Sequence, residues 1–197
     1  MPTAPKHRDK IIRAAADLFR RAGYAATGTN EIVARSGAPK GSLYHYFPGG
    51  KAEIGAAAIG YAGSKVTATL ADLLARHDGN PAAAILAYGA LLIVWLEQSG
   101  YRDGCPIATV LLEIAPAETT VTAAGRAVFA DWAGLFAKAL MDSHVAAERA
   151  ETLGTLAVTL LEGSLIQARV EADGRAITLA VREAAGMFEA AMSQARQ

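Results

Sequence analysis

Residues 27–51 read TGTNEIVARSGAPKGSLYHYFPGGK. Two short helical pieces meet there at Gly37. The first spans about Thr29 to Arg35 and shows Ile32 and Val33 as its apolar side. Gly37 takes positive φ without a Cβ penalty, which a sharp turn between helices usually requires. Pro39 is expected to open the second piece, because a first-turn proline loses no hydrogen bond and pre-sets φ. That piece runs to roughly Tyr46, and Leu43 and Phe47, four apart, anchor it inward on one face. Outward it leaves Lys40, Gly41, Ser42, Tyr44, His45 and Tyr46: a cation, hydroxyls, an imidazole and two phenols around a glycine. Such a surface suits hydrogen bonding to phosphates and base edges, on a helix that fits a major groove.

Upstream, Ile11, Ala14, Ala15, Leu18, Phe19 and Ala22 recur at helical spacing and predict a first helix over about His7 to Ala22, ended by Gly23. It is expected to hold the two following helices as a three-helix unit, with Tyr24 packed under the turn. Met1 to Lys6 reads as a disordered arm with two prolines, and Lys6 and Arg8 either track a phosphate backbone or are merely solvated. Over residues 1–51 there are nine Lys/Arg against three Asp/Glu, a net +6, and residues 52–197 carry the balancing −6. A basic head on an acidic body is expected where only the head meets a polyanion; the alternative is a chance imbalance of surface charge.

The remaining chain reads as helices throughout. With 52% hydrophobic residues and few β-branched runs, an all-α protein is expected. One long pattern follows Lys51 to about Arg76. Asn80-Pro81 then starts another helix by capping, and its residues 82–96, AAAILAYGALLIVWL, hold no charge. Fifteen residues are too few for a membrane span, so this helix is expected to be buried, filling a core or lining a cavity. Further helices are predicted from Pro106 to Ala115, from Thr119 to Met141, from Val145 to Ala172 with Ser143 as cap, and from Ile177 to Gln194. In the last two, Leu153, Leu156, Ala157, Leu160, Leu161, Ser164, Leu165 and Ala168 form a stripe wider than one partner helix needs, joined by Val181, Ala184, Ala185, Phe188 and Met192.

Several function classes are excluded. His7, His45, His77 and His144 are dispersed, and no metal-ligand spacing, nucleophile elbow or phosphate-binding glycine loop is present. No enzyme, metal or cofactor is expected. One cysteine excludes an intrachain disulfide framework and, with a polar N-terminus lacking a signal-peptide core, fits a cytoplasmic location.

GxxKGSLYHYF with its trailing lysine resembles the DNA-binding domain of TetR/AcrR-type transcriptional regulators. GYAATGTNEIV, from Gly23, resembles that family's GYxxTSxxxIA, so the likeness covers about residues 8 to 55. Two departures stand out: Gly28 replaces the usual Ser or Thr cap, and FPGGK carries one residue more than the common FxxK. FPGGK and the GCP of Gly104 to Pro106 together resemble the LmrA/YxaF-type branch. The resemblance implies a helix-turn-helix DNA-binding domain over residues 1–50 and a helical effector-binding and dimerisation domain over 51–197.

In that frame Lys40, Ser42 and Tyr44 face the groove and Gly41 lets the backbone approach. Thr27, Thr29, His45, Tyr46 and Lys51 join the interface, largely through phosphates; partial burial is the alternative for His45 and Tyr46. The resemblance implies a cavity for a small lipophilic or aromatic effector, with Tyr88, Leu92, Trp95, Cys105, Leu111, Phe129 and Trp132 as candidate walls and ordinary core packing as the alternative. It also implies a homodimer joined through Leu153, Ala157, Leu160, Leu161, Ser164, Leu165, Ala168, Val181, Ala185 and Phe188, the alternative being intrachain core. The partners expected are operator DNA, a second copy and a hydrophobic effector, with no membrane. The competing reading is a dimeric DNA-binding regulator without an effector.

Overall fold

The computed structural model describes residues 6–196. Among them are nine α-helices and no strand: α1 (Lys6–Ala22), α2 (Thr29–Ser36), α3 (Ser42–Tyr46), α4 (Gly50–Arg76), α5 (Pro81–Gln98), α6 (Ala108–Ile114), α7 (Thr119–Asp142), α8 (Ala147–Glu171) and α9 (Arg175–Gln194). The fold is all-α. The expected N-terminal arm lies outside the described residues apart from Lys6, which opens α1.

Packing divides the chain into two compact units: residues up to Ser64 with Cys105–Val128, and Lys65–Gly104 with the residues from Phe129 onward. These units cut across a division at residue 50. The reason is that α6 and the first halves of α4 and α7 share a core with the N-terminal helices; Gly55, for example, packs against Tyr24 and Val121.

In the first unit Ile11, Ala15 and Phe19 of α1, Ile32 of α2, Leu43 of α3 and Phe47 are all buried. Each fully buried Phe, Ile or Leu side chain contributes about 1.5–3 kcal/mol. Asp17 adds ion pairs to Arg21 at 3.1 Å and across to Arg35 of α2 at 2.8 Å, both partly exposed and therefore minor. The turn between α2 and α3 follows from Gly37, at φ 63 and ψ 20, whose amide donates to the Ala34 carbonyl. Pro39 does not begin α3. The Ser42 amide reaches back to the Pro39 carbonyl at 2.9 Å, so a turn precedes the helix and α3 is left with five residues.

In the second unit α9 packs along both α5 and α8. Asn80 caps α5, its side-chain oxygen accepting from the amides of Ala82 and Ala83 at 3.0 and 3.2 Å. Close helix approach is made by glycines. Gly89 lies against Val181, and Gly154 lies so close to α7 that a Cβ there would overlap the Ala133 carbonyl oxygen. Phe136 and Phe188 meet across the core with ring centroids 5.7 Å apart. Ser143 does not cap α8; its hydroxyl donates to the Ala139 carbonyl within α7.

α5 is not buried all round. It has 18 residues with a mean hydropathy of 1.5, long and apolar enough by length and composition to cross a membrane. The face carrying Ile85, Tyr88, Gly89, Leu92 and Leu96 is buried, as in a core helix, whereas Leu86, Val94 and Trp95 are exposed.

Replacing Gly154 by alanine is expected to destabilise the protein by about 2–3 kcal/mol, because helix backbones must separate. Gly60→Ala on α4, where a methyl group meets nothing, is expected to add up to about 1 kcal/mol. Urea unfolding of the two variants checks both signs.

Candidate functional site

α3 is too short to order itself, since a helix of one turn or so gives back little for the cost of its nucleus. Its order comes from Leu43 and Phe47, which are 1% and 0% exposed. The Phe47 amide closes the last turn on the Leu43 carbonyl at 2.8 Å, and the Arg8 guanidinium lies 5.5 Å from the Phe47 ring centroid. With those anchors inward, Lys40, Gly41, Tyr44 and His45 are exposed, Tyr44 to 65%, and Ser42 and Tyr46 are half-buried. The His45 and Tyr46 rings meet edge to face at 4.8 Å. One short segment thus offers a cation, two phenols, an imidazole, a hydroxyl and an approachable backbone.

Thr27 is not part of that surface. It is fully buried, and its hydroxyl donates to the Gly23 carbonyl at 2.7 Å, so it holds the α1–α2 turn. Thr29, in the first turn of α2, is half-buried. As Gly28 foretells, α2 has no side-chain cap. Lys51 is half-buried: its ammonium lies 4.4 Å from the Tyr24 ring centroid and donates to the Ala25 carbonyl at 3.4 Å. Burial first, then the Glu118 carboxylate, push the Tyr24 phenol up from its ordinary value, so a neutral ring underlies the cation.

A narrow cleft of about 10 Å³ opens among α4, α5, α7 and α8, roughly the space of one water. Tyr88, Leu92 and Trp132 line it, together with Val66, Leu70, Phe136, Val158 and Glu162. Trp95 is not in its wall; it is 43% exposed on the outer side of α5. Phe129 stacks edge to face on Trp132 at 5.6 Å without lining the cleft. Cys105 and Leu111 pack in the first unit, Leu111 against Gly125.

The stripe expected at a dimer interface is largely internal. Leu153, Ala157, Leu161, Ser164, Leu165, Ala168, Val181, Ala185 and Phe188 are buried within one chain, because α8 and α9 turn their apolar faces onto α5 and α7. Leu161 and Leu165 are cleft walls. Only Leu160 is half-buried, and the apolar residues left outside are Leu156, Ile166, Val170 and Leu179.

Comparison with known proteins decides the family. Residues 11–58 match the model of bacterial regulatory proteins of the tetR family, and residues 81–183 match the C-terminal domain of LmrA/YxaF-like transcriptional regulators. The chain belongs to the TetR family. It is 36% identical to the HTH-type transcriptional regulator YxaF of Bacillus subtilis over 81% of this chain and 83% of that one. It is 30% identical to LmrA of the same organism over 81% and 84%. Solved structures share the fold: regulatory protein TetR from Rhodobacter sphaeroides has a TM-score of 0.78 at 22% identity, covering 92% of this chain and 98% of that one. Escherichia coli NemR in its reduced form has a TM-score of 0.79 at 22% identity, covering 90% and 94%.

This TetR-family chain is therefore a transcriptional regulator with a helix-turn-helix DNA-binding domain, not an enzyme. Within that domain Thr27 is structural, which gives a direct test. Thr27→Val keeps the shape and removes the hydroxyl, so it is expected to lower stability by about 1–2 kcal/mol through the unsatisfied Gly23 carbonyl. The slope of DNA affinity against salt is expected to stay unchanged, as no phosphate contact is lost. Thermal unfolding and a salt titration of DNA binding read the two effects.

Proposed function

We propose that the protein is a repressor that binds a palindromic operator as a homodimer and is released by a small lipophilic or aromatic ligand. The observation that carries the DNA part is the outward face of α3. Lys40, Gly41 and Tyr44 stand exposed on a segment whose only buried side chain in the helix is Leu43. In this reading Lys40, Ser42 and Tyr44 meet base edges, while His45, Tyr46, Thr29 and Lys51 hold phosphates and set register. A cytoplasmic location follows from that role.

One α3 makes few contacts, whereas two copies about 34–36 Å apart read successive half-sites. We assign the second copy to the outer faces of α8 and α9. Leu156, Leu160, Gly163, Gln167 and Val170 follow one another at alternating spacings of about four and three, the seam of two packed helices. Val170 is 82% exposed and Leu179 of α9 is 51% exposed. Val170→Glu combined with Leu156→Glu is expected to give a folded monomer; sedimentation velocity checks it, and a persisting dimer refutes this face.

The ligand is assigned to the cleft of Tyr88, Leu92 and Trp132. Glu162 is the one charged residue in a wall otherwise made of apolar and aromatic side chains. A carboxylate in so apolar a site disfavours anions, so the ligand is a neutral or cationic aromatic. By favouring the conformation with the wrong spacing of the two DNA-binding helices, it acts as an inducer. The competing reading, a dimeric regulator with no effector, is favoured by the near-closure of the cleft.

Gel shifts on the DNA upstream of the gene test the proposal. The dimer is expected to bind, and Lys40→Ala and Tyr44→Ala to weaken binding by about tenfold or more while remaining folded. Intact binding by both refutes the assignment. Neutral and cationic aromatic compounds are then added to the complex; release by at least one supports induction, and release by none supports the effector-free regulator.

A further inference from the structure

Glu113, on α6, is 88 residues from the turn between α1 and α2 in sequence, yet its carboxylate clasps that turn. Oε1 accepts from the Tyr24 amide at 3.0 Å and Oε2 from the Ala25 amide at 2.6 Å. Paired amide donors to one carboxylate are charge-assisted bonds that fix direction as well as distance. Gly23, at φ +85, lies directly beneath; a Cβ there would overlap Oε1, so the glycine admits the carboxylate as well as the turn.

Two side chains also tie the turn, Thr27 just before α2 and Lys51 at the start of α4. Thr27 donates to the Gly23 carbonyl, and Lys51 donates to the Ala25 carbonyl. Each satisfies an acceptor. The amides of residues 24 and 25 take their partner from α6. This matters because α2 begins at Thr29 with Gly28 before it and no side-chain cap. The start of α2 is therefore not fixed by the usual local device. Its direction depends on the turn that precedes it, and the pose of α3 follows from α2 through Gly37.

We propose that Glu113 is a positioning residue for operator binding: from α6 it sets the α1–α2 turn, and through α2 it sets the pose of α3. The proposal rests on the reading that α3 meets DNA. Glu113 itself touches no DNA in it.

Hydrogen exchange of the full-length protein and operator titrations, on the parent, Glu113→Ala and Glu113→Gln, test it together. In Glu113→Ala the amides of Tyr24 and Ala25 are expected to exchange about tenfold faster or more, with core amides such as those of Phe19 and Leu70 unchanged. Operator affinity is expected to fall by about tenfold as the competent pose becomes a minor one, with the salt slope kept. Should Glu113→Ala not fold, Glu113→Gln, which keeps the shape and one accepting oxygen, is expected to show the same changes at smaller size. Unchanged exchange at residues 24 and 25 overturns the clasp. Faster exchange with affinity within about twofold of the parent overturns its role in positioning. Exchange needs no DNA, so absence of operator binding by the parent would strike the DNA assignment while leaving the clasp separately measurable.

Discussion

Two side chains carry the part of the molecule that matters most for DNA. α3 has five residues, and a helix that short does not repay the entropy of its own nucleation. Burial of Leu43 within it and Phe47 just after it supplies what the backbone cannot. Because the anchors are four apart they lie on one face and fix which way the segment is turned about its axis. The outward Lys40 and Tyr44 are thereby held in place without being buried themselves. Lys40, Tyr44 and His45 can be polar and exposed because folding asks nothing of them; stability and the proposed recognition lie on two faces of one turn.

The same separation recurs in α8. Its inner face combines Leu153, Ala157, Leu161 and Leu165 with Gly154, and the glycine lets α8 approach the α7 backbone at Ala133 closely enough to bury them all. Close approach uses up that face inside one chain. What is left for the proposed second copy is the opposite edge, where large apolar residues alternate with Gly163 and Gln167. A single exposed Val170 would be ordinary; what points to a seam is that it continues a row with Leu156 and Leu160.

The helices were legible in the sequence because apolar residues recur at helical spacing and because Asn80-Pro81, Gly23 and Gly37 mark ends by backbone chemistry. The outward set was legible for a related reason: the six residues flanking Leu43, three on each side, have no apolar role to play. Where the reading failed, the deciding interaction was either very local or very distant. Thr27 looks like a surface hydroxyl, but a carbonyl four residues back satisfies it and lets it be buried. Pro39 looks like a first-turn proline, but its carbonyl accepts from Ser42 in a separate turn. The stripe on α8 has apolar residues over more than half its circumference, and composition does not say which part faces the same chain. The resemblance grouped Cys105 and Leu111 with Tyr88 and Trp132, whereas long-range packing returns residues 105–128 to the N-terminal helices. The Glu113 clasp has no sequence signal, since a lone glutamate on a short helix is indistinguishable from a solvated one.

The narrow cleft bears on how the proposed regulation would work. A site with room for roughly one water binds nothing larger without moving its walls, so ligand entry and conformational change become one event. α4 supplies Val66 and Leu70 to those walls and, earlier along the same 27-residue helix, Ile54 and Ile59 to the core of the other unit. A ligand that displaces the first pair acts on an element whose remainder is packed among the N-terminal helices. The energetic requirement is differential: affinity for the opened cleft must exceed the cost of opening it, and only the surplus is available to shift the DNA-binding equilibrium. A ligand that merely filled a ready-made cavity would bind more tightly and regulate less.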